Sequence, residues 1–594
     1  MIRTPLRPLA RILQARQMGE NPDAIERENL RLRHEEMRDQ SRTRAESRLL
    51  VLGVMFFCAY ATVGARMGLL ASTEPQEPRA AASGAAIIAQ RADITDRAGR
   101  ILATNMATHA LYAQPQIMID KDRVARELAQ IFPDLNEEKL LAQFSGKRKF
   151  LWIRKKISPE QQQLVHEIGD PGLLFGPREM RLYPNGKLAA HVLGGASFGR
   201  EGVNSAEVIG TAGVEKAFDA YLRDPGNGGQ PLRLSLDLTI QAAVERVLYG
   251  GMKLMNAKGA TAVLMDIHTG ELISMASLPD FDPNDRPAPL TRGDQSDSPL
   301  FNRAVQGVYE LGSTFKIFAV AQALEERLVN PSTMIETKGP LTWGKYRIRD
   351  FHDYGKELSV TDIIVKSSNI GTARMAMQIG GPRQKVFLGR LGLLEPTSVE
   401  MVEAPTGRPI LPKNWSEIST MTISYGHGLS SSPLHLAAAY ASVLNGGTRV
   451  EPSLLAGGKP QTGERVISAR TSAELRSMLR QVVSRGTASF GEVEGYAVGG
   501  KTGTADKPKP RGGYYNDKVI ATFASAFPMN DPKYVLVVTL DEPVETSGAK
   551  PRRTAGWTAV PVAAEIIRRT APLLGLRPEI EPRDPVGVTL ASSN

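Results

Sequence analysis

Apolar and polar positions divide the chain before any motif is considered. From Leu49 to Ala65 no charged residue occurs, and past Arg66 the run continues through Met67-Gly68-Leu69-Leu70-Ala71. Roughly 20 apolar residues suffice for one membrane-spanning helix if the Arg66 guanidinium snorkels to the interface. Residues 1–48 are rich in Arg and Glu, with a mixed-charge stretch at 24–48 that reads as a solvated helix, and 72–86 carries Pro, Glu and small residues, as linkers do. Residues 91–103 alternate around Ala98-Gly99 as strand, turn and strand; helices are predicted near 119–132, 158–166 and 240–254. Beyond Ala260 the apolar runs lengthen. Residues 261–266 and 271–277 flank His268-Thr269-Gly270 as a buried hairpin, 434–444 is helical, 519–526 and 534–540 are strands, and 560–569 is a closing helix. Helices packed on an antiparallel sheet, an α+β arrangement, are the expected result. The implied organisation is a tail at 1–48, an anchor at 49–71, a linker at 72–86, a first folded domain at 87–245, a second at 246–575 and a loose Pro-rich tail at 576–594.

Composition narrows the classes. At 594 residues the chain exceeds one ordinary core. The net charge of +10 reflects arginines crowded ahead of the apolar run, and no zinc-finger spacing or aromatic-interleaved basic stretch accompanies it, so nucleic acid is not an expected partner. Cys58 is the single cysteine and lies within the apolar run, which excludes an intramolecular disulfide and argues against a thiol nucleophile or cysteine metal site. Arg42, Arg44 and Arg48 precede the apolar run while Glu74 and Glu77 follow it, placing the N-terminus in the cytoplasm and the rest outside. A cleaved signal peptide would need a far shorter leading segment.

The chemistry centres on Ser313-Thr314-Phe315-Lys316. Gly312 breaks the preceding segment, and Ile317, Val320, Ala321 and Leu324 recur at helical spacing, so Ser313 is predicted in the first turn of a buried helix with Lys316 on the same face. A serine hydroxyl needs a base, and a lysine serves as one only when burial or a neighbouring cation lowers its pKa. Alone, S-x-x-K recurs by chance. Here it is followed in order by Ser367-Ser368-Asn369 and by Lys501-Thr502-Gly503-Thr504, and the series S-x-x-K, S-x-N, K-T-G is the signature set of penicillin-binding proteins and serine β-lactamases.

The chain as a whole after the apolar run resembles the class B penicillin-binding proteins, and among them the division-specific FtsI type. Residues 91–103 resemble the family's N-terminal pedestal motif, Gly213 to Phe218 its G-x-E-x-x-F element, and Gly426-His427-Gly428 with Ser432-Pro433-Leu434 the loop and helix between S-x-N and K-T-G. Leu311 departs from the family's usual proline. The resemblance implies a pedestal domain ahead of a transpeptidase domain, no cofactor and no metal. It implies that Ser313 attacks the penultimate D-alanine carbonyl of a peptidoglycan stem peptide while Lys316 takes the proton. Ser367 relays that proton to the leaving amine, Asn369 bonds Lys316 and the substrate amide, and Lys501 keeps the site electropositive. Thr502 and Thr504 hold the terminal carboxylate, with Gly503 between them, and the N–H groups of Ser313 and Thr504 form the oxyanion hole. Implied partners are stem peptides on lipid-linked or nascent glycan strands, β-lactam antibiotics, a SEDS-type, FtsW-like glycan polymerase and other divisome membrane proteins, at the bacterial inner membrane with the catalytic domain periplasmic. An elongation-specific transpeptidase, or a D,D-carboxypeptidase or β-lactamase, would use the same serine chemistry.

Other signals compete. Gly495 to Thr502 matches the phosphate-loop pattern G-x-x-x-x-G-K-T, but Gly503, Pro508, Pro510, Gly512 and Gly513 argue against the helix such a loop must open. Gly195-Ala196-Ser197-Phe198-Gly199 matches a nucleophile elbow without its flanking strand and helix. His427 and His435 lack metalloprotease spacing. Asp266 and Glu310 would form a glycosidase pair only if folding joined them. Residues 505–518 suggest no role.

Overall fold

The computed structural model describes residues 9–72, 91–201, 206–461, 463–509 and 512–579. The predicted linker beyond residue 72, most of the C-terminal tail and the first eight residues lie outside them. The chain divides into two compact units, residues 1–82 and 83–594.

The first unit contains helix α1 (Leu9–Met18) and the 51-residue helix α2 (Pro22–Ser72), in which the charged stretch continues without a break into the apolar one. Its segment Arg48–Met67 is long and apolar enough to cross a membrane and is not buried by protein. Cys58 is exposed on it.

The second unit begins with a five-stranded sheet. Strands β1 (Ile94–Thr95), β2 (Ile101–Ala113), β3 (Leu151–Ile157), β4 (Leu173–Leu182) and β5 (Leu232–Arg233) pair in the order β3-β2-β1-β5, with β4 also on β2. The predicted strand, turn and strand are β1 and β2, joined at Gly99, whose φ of +84° suits glycine. A capping box between Ser158 and Gln161, with Pro159 in the first turn, starts the predicted helix at Pro159–Ile168. Arg91 and the G-x-E element meet in a buried ion cluster. Arg91 Nε donates to Glu215 Oε2 at 2.7 Å and its Nη1 to Asp219 at 2.7 Å, while Arg181 Nε donates to Glu215 Oε1 at 2.7 Å and Tyr183 donates to the same oxygen at 3.2 Å. Two guanidiniums on one carboxylate satisfy a charge that burial alone would exclude.

The pedestal head, with Leu111, Val124, Leu128, Phe144 and Val165, has its own apolar cluster. Its base does not: Ile94, Leu102, Val214 and Leu222 belong to the same core as the following domain. That domain is built on a fully antiparallel five-stranded sheet. Its strands are β6 (Gly259–Asp266), β7 (Leu272–Leu278), β8 (Gly499–Pro508), β9 (Tyr514–Phe527) and β10 (Tyr534–Asp541), in the order β8-β9-β10-β6-β7. Nearly every residue of β6, β7 and β10 is buried, which is why these strands read as unbroken apolar runs rather than alternating ones. Helix α3 (Leu238–Leu254), running unbroken across residue 245, packs on β7 and on the closing helix, whereas helix α4 (Pro433–Leu444), buried at every residue, packs on β10 and β6. The expected α+β fold with helices on an antiparallel sheet is the one observed.

Candidate active site

The first motif does not open directly as an α-helix. Gly312–Phe315 forms a 3-10 turn, and helix α5 (Lys316–Glu325) starts at the lysine. In a 3-10 turn residues i and i+3 eclipse, so Ser313 and Lys316 share a face even so. Gly312 holds φ +57° and has no room for a side chain: a Cβ there would lie 2.9 Å from the Thr504 carbonyl oxygen. A Cβ on Gly503 would lie 2.2 Å from the Leu311 carbonyl oxygen, and one on Gly426 2.0 Å from that of Gly312. Three glycines from three motifs therefore let backbone meet backbone. The K-T-G strand and the Gly-His-Gly loop clamp the turn that carries Ser313, and Gly312 N–H donates to the Gly426 carbonyl at 3.2 Å.

The second motif lies between helices α6 (Val360–Lys366) and α7 (Asn369–Ile379). Ser367 caps the first at φ +66°, ψ +44°, a left-handed conformation that a serine adopts only when its surroundings impose it. Ser368 caps the second, accepting from Gly371 N–H at 3.0 Å and donating to Asp350 Oδ2 at 2.6 Å. Asp350 Oδ1 accepts from the N–H groups of Asn369 and Ile370 at 2.5 and 3.0 Å, fixing the start of α7.

Strand β8 delivers the third motif. Lys501 Nζ donates to Ser367 Oγ at 2.9 Å and to the Thr502 carbonyl at 3.2 Å. Lys316 Nζ donates to Ser367 Oγ at 3.0 Å and to the Ser367 carbonyl at 2.5 Å. One hydroxyl thus joins two lysines, both fully buried. Burial pushes the Lys316 amine well below the ordinary lysine range, Lys501 pushes it further, and Asp350 offsets part of the shift; burial alone brings Lys501 down to about 7. These are the conditions under which a lysine acts as a base. Thr502 and Thr504 occupy the opposite face of β8 from Lys501 and Gly503. Thr502 Oγ1 pairs with Thr487 Oγ1 at 2.8 Å, and Thr504 Oγ1 accepts from Ala555 N–H at 3.0 Å.

Residues 260–568 match the model of the penicillin binding protein transpeptidase domain, and residues 86–230 that of the penicillin-binding protein dimerisation domain. A Caulobacter vibrioides protein named a probable peptidoglycan D,D-transpeptidase FtsI is 34% identical over 93% of this chain and 93% of its own length. This chain is a class B penicillin-binding protein of the FtsI type. The Escherichia coli K12 peptidoglycan D,D-transpeptidase FtsI is 29% identical over 76% of this chain and 79% of its own length. The crystal structure of penicillin-binding protein 3 from Mycobacterium tuberculosis complexed with ampicillin superposes with a TM-score of 0.63 at 26% identity, covering 84% of this chain and 98% of that one.

Within this penicillin-binding protein two contacts differ from expectation. Among the hydrogen bonds of the described residues none joins Ser313 Oγ to Lys316, because the Ser367 hydroxyl and carbonyl engage the buried amine. Asn369 Nδ2 donates to the Arg349 carbonyl at 2.9 Å, and none of the described hydrogen bonds joins it to Lys316. Asp350, Thr487 and Ala555 support the site from segments that carry no motif; nothing in the sequence marks them. The competing patterns resolve otherwise. Lys501 lies in a strand, not at a helix start, and Gly195–Glu201 is a strand. His435 completes a capping box with Ser432. Asp266 Oδ1 accepts from the N–H groups of His268 and Thr269 in the hairpin turn, while Glu310 binds His427, Gly428 and Tyr514, so each carboxylate is committed locally.

Proposed function

We infer that this penicillin-binding protein is the D,D-transpeptidase that cross-links peptidoglycan stem peptides in septal wall synthesis and that β-lactams acylate it. The observation that carries the reading is the bridge of Ser367 Oγ between Lys501 and Lys316, the residue that directly follows the turn bearing Ser313. Neutral Lys316, held in that state by burial and by Lys501, takes the Ser313 proton as its oxygen attacks the D-alanyl carbonyl. Ser367 passes a proton to the departing D-alanine amine. The close approach of Gly312 to Thr504 brings the N–H groups of Ser313 and Thr504 to the developing oxyanion, a stabilisation whose loss typically costs about a hundredfold or more in rate. Thr502 and Thr504 receive the terminal carboxylate, and Asn369 the substrate amide. A second strand's amine then resolves the acyl-enzyme. A β-lactam acylates Ser313 in the same way and stays attached.

The apolar segment of α2 anchors the protein in the inner membrane, N-terminus cytoplasmic, with the catalytic domain in the periplasm. A SEDS-type, FtsW-like polymerase and other divisome membrane proteins are the partners this placement suits. Fluorescent penicillin tests the reading: wild-type protein labels covalently and sheds the label slowly, and Ser313→Ala abolishes labelling without altering the thermal melt. Labelling that persists in Ser313→Ala, or rapid loss of label from the wild type, refutes it. Depletion giving filamentous rather than rounded cells supports division over elongation.

A further inference from the structure

Lys316 and Lys501 are fully buried, so an acceptor amine arriving from solvent meets other side chains first. Glu310 stands three residues before Ser313. Its carboxylate accepts from His427 Nδ1 at 3.2 Å, from Gly428 N–H at 2.8 Å and from the Tyr514 hydroxyl at 3.1 Å. The nucleophile segment, the Gly-His-Gly loop and the start of β9 thus converge on one carboxylate. Burial works to raise its pKa, but the His427, Gly428 and Tyr514 donors outweigh it and hold Glu310 below the usual range, ionised.

An ionised carboxylate only accepts, so Nδ1 carries a proton, and in the neutral ring Nε2 presents a lone pair. Among the hydrogen bonds of the described residues Nε2 has no partner, and the His427 side chain is 32% exposed against 10% for Glu310. The rings of Tyr425 and Tyr514 stand across the imidazole at 5.5 and 6.4 Å and restrict its plane. Gly426, one residue from His427, touches Gly312, one residue from Ser313. The ring is therefore oriented, accessible and carried on the loop that clamps the nucleophile turn.

We propose that His427 is the general base of the second half-reaction, with Glu310 as its positioning residue; the proposal rests on the transpeptidase reading. The acceptor amine nitrogen attacks the ester carbonyl of acylated Ser313, forming the C–N bond. His427 Nε2 takes the proton that the nitrogen must lose. As the tetrahedral intermediate collapses, the C–O bond to Ser313 breaks and the proton held by His427 passes to Ser313 Oγ, so the proton the amine loses is the one the serine regains and both side chains end as they began.

The test uses the purified full chain, a thioester analogue of the donor and a D-amino acid as acceptor amine. It measures acylation separately from the partition of the acyl-enzyme between aminolysis and hydrolysis. General bases contribute about 10²–10⁴ in rate, so His427→Ala is expected to lower aminolysis by about a hundredfold or more, with the loss confined to the second half-reaction. Free imidazole restores part of it, which a merely structural role would not allow, and Glu310→Gln lowers the same partition to a smaller degree. Aminolysis retained in His427→Ala overturns the proposal, as does a parallel loss of acylation and aminolysis that imidazole does not rescue. Wild-type protein that no penicillin acylates would sink the transpeptidase reading and this proposal together; normal acylation with an unaffected partition sinks this proposal alone.

Discussion

Ser367 carries both strain and chemistry, and two substitutions separate them. Its Oγ is the shared partner of two buried amines, at 3.0 Å from Lys316 and 2.9 Å from Lys501. Ser367→Ala leaves Lys316 with the residue-367 carbonyl and Lys501 with the Thr502 carbonyl, and removes the link between them. A hydrogen bond to a charged group contributes about 1.5–3 kcal/mol, and about 1.4 kcal/mol is tenfold, so acylation by a labelled penicillin should slow by roughly ten- to 150-fold. Ser367→Gly removes the same oxygen but relieves the left-handed backbone. Relief of about 1–2 kcal/mol, less about 0.5–1 for glycine's greater unfolded freedom, should make it more stable than Ser367→Ala by roughly 0.5–1 kcal/mol. Stopped-flow acylation and thermal melts, run on both variants, separate the two effects. Acylation within twofold of wild type in either variant, or a glycine variant less stable than the alanine one, would refute the argument.

Lys501 makes stability depend on pH. Its folded pKa, about 7, lies below the unfolded value near 10.4, so the unfolded chain binds the extra proton between those limits and stability rises with pH across that window. Lys501→Met should abolish acylation yet flatten this rise in melts taken from pH 7 to pH 10; an unchanged slope contradicts the assignment. Gly503→Ala would drive a methyl to 2.2 Å from the Leu311 carbonyl oxygen and shift β8 off the nucleophile turn. Misplacement by about 1 Å can cost a hundredfold, so acylation should fall by at least about tenfold with little change in circular dichroism. Glu215→Ala would strand Arg91 and Arg181 in the pedestal base. Breaking such a buried pair typically costs about 3–5 kcal/mol, to be read as a lower midpoint in urea unfolding.

The three motifs and their order were legible because each depends on residues adjacent in sequence. The buried hairpin β6-β7, helix α4 and the helix that begins after Ser158 were legible for the same reason: period and turn residues act locally. Other features depended on distant partners. Ser367 takes a left-handed conformation where its neighbours alone would not demand it, and Lys316 turns to Ser367 because a buried amine takes the donors and acceptors that folding brings nearest. The stretch at 505–518 suggested no role, yet its described residues extend the pairing of β8 and β9 as far as Pro508 and Tyr514. Lys507 pairs there with Asp541 and Glu542, and Tyr514 reaches back 204 residues to Glu310. Local sequence therefore determined which chemistry the chain carries and the elements that hold it. Tertiary structure alone decided which lysine meets which oxygen, and that a histidine from one loop is steered by a carboxylate from another, because burial, charge and close backbone approach are set by segments hundreds of residues apart.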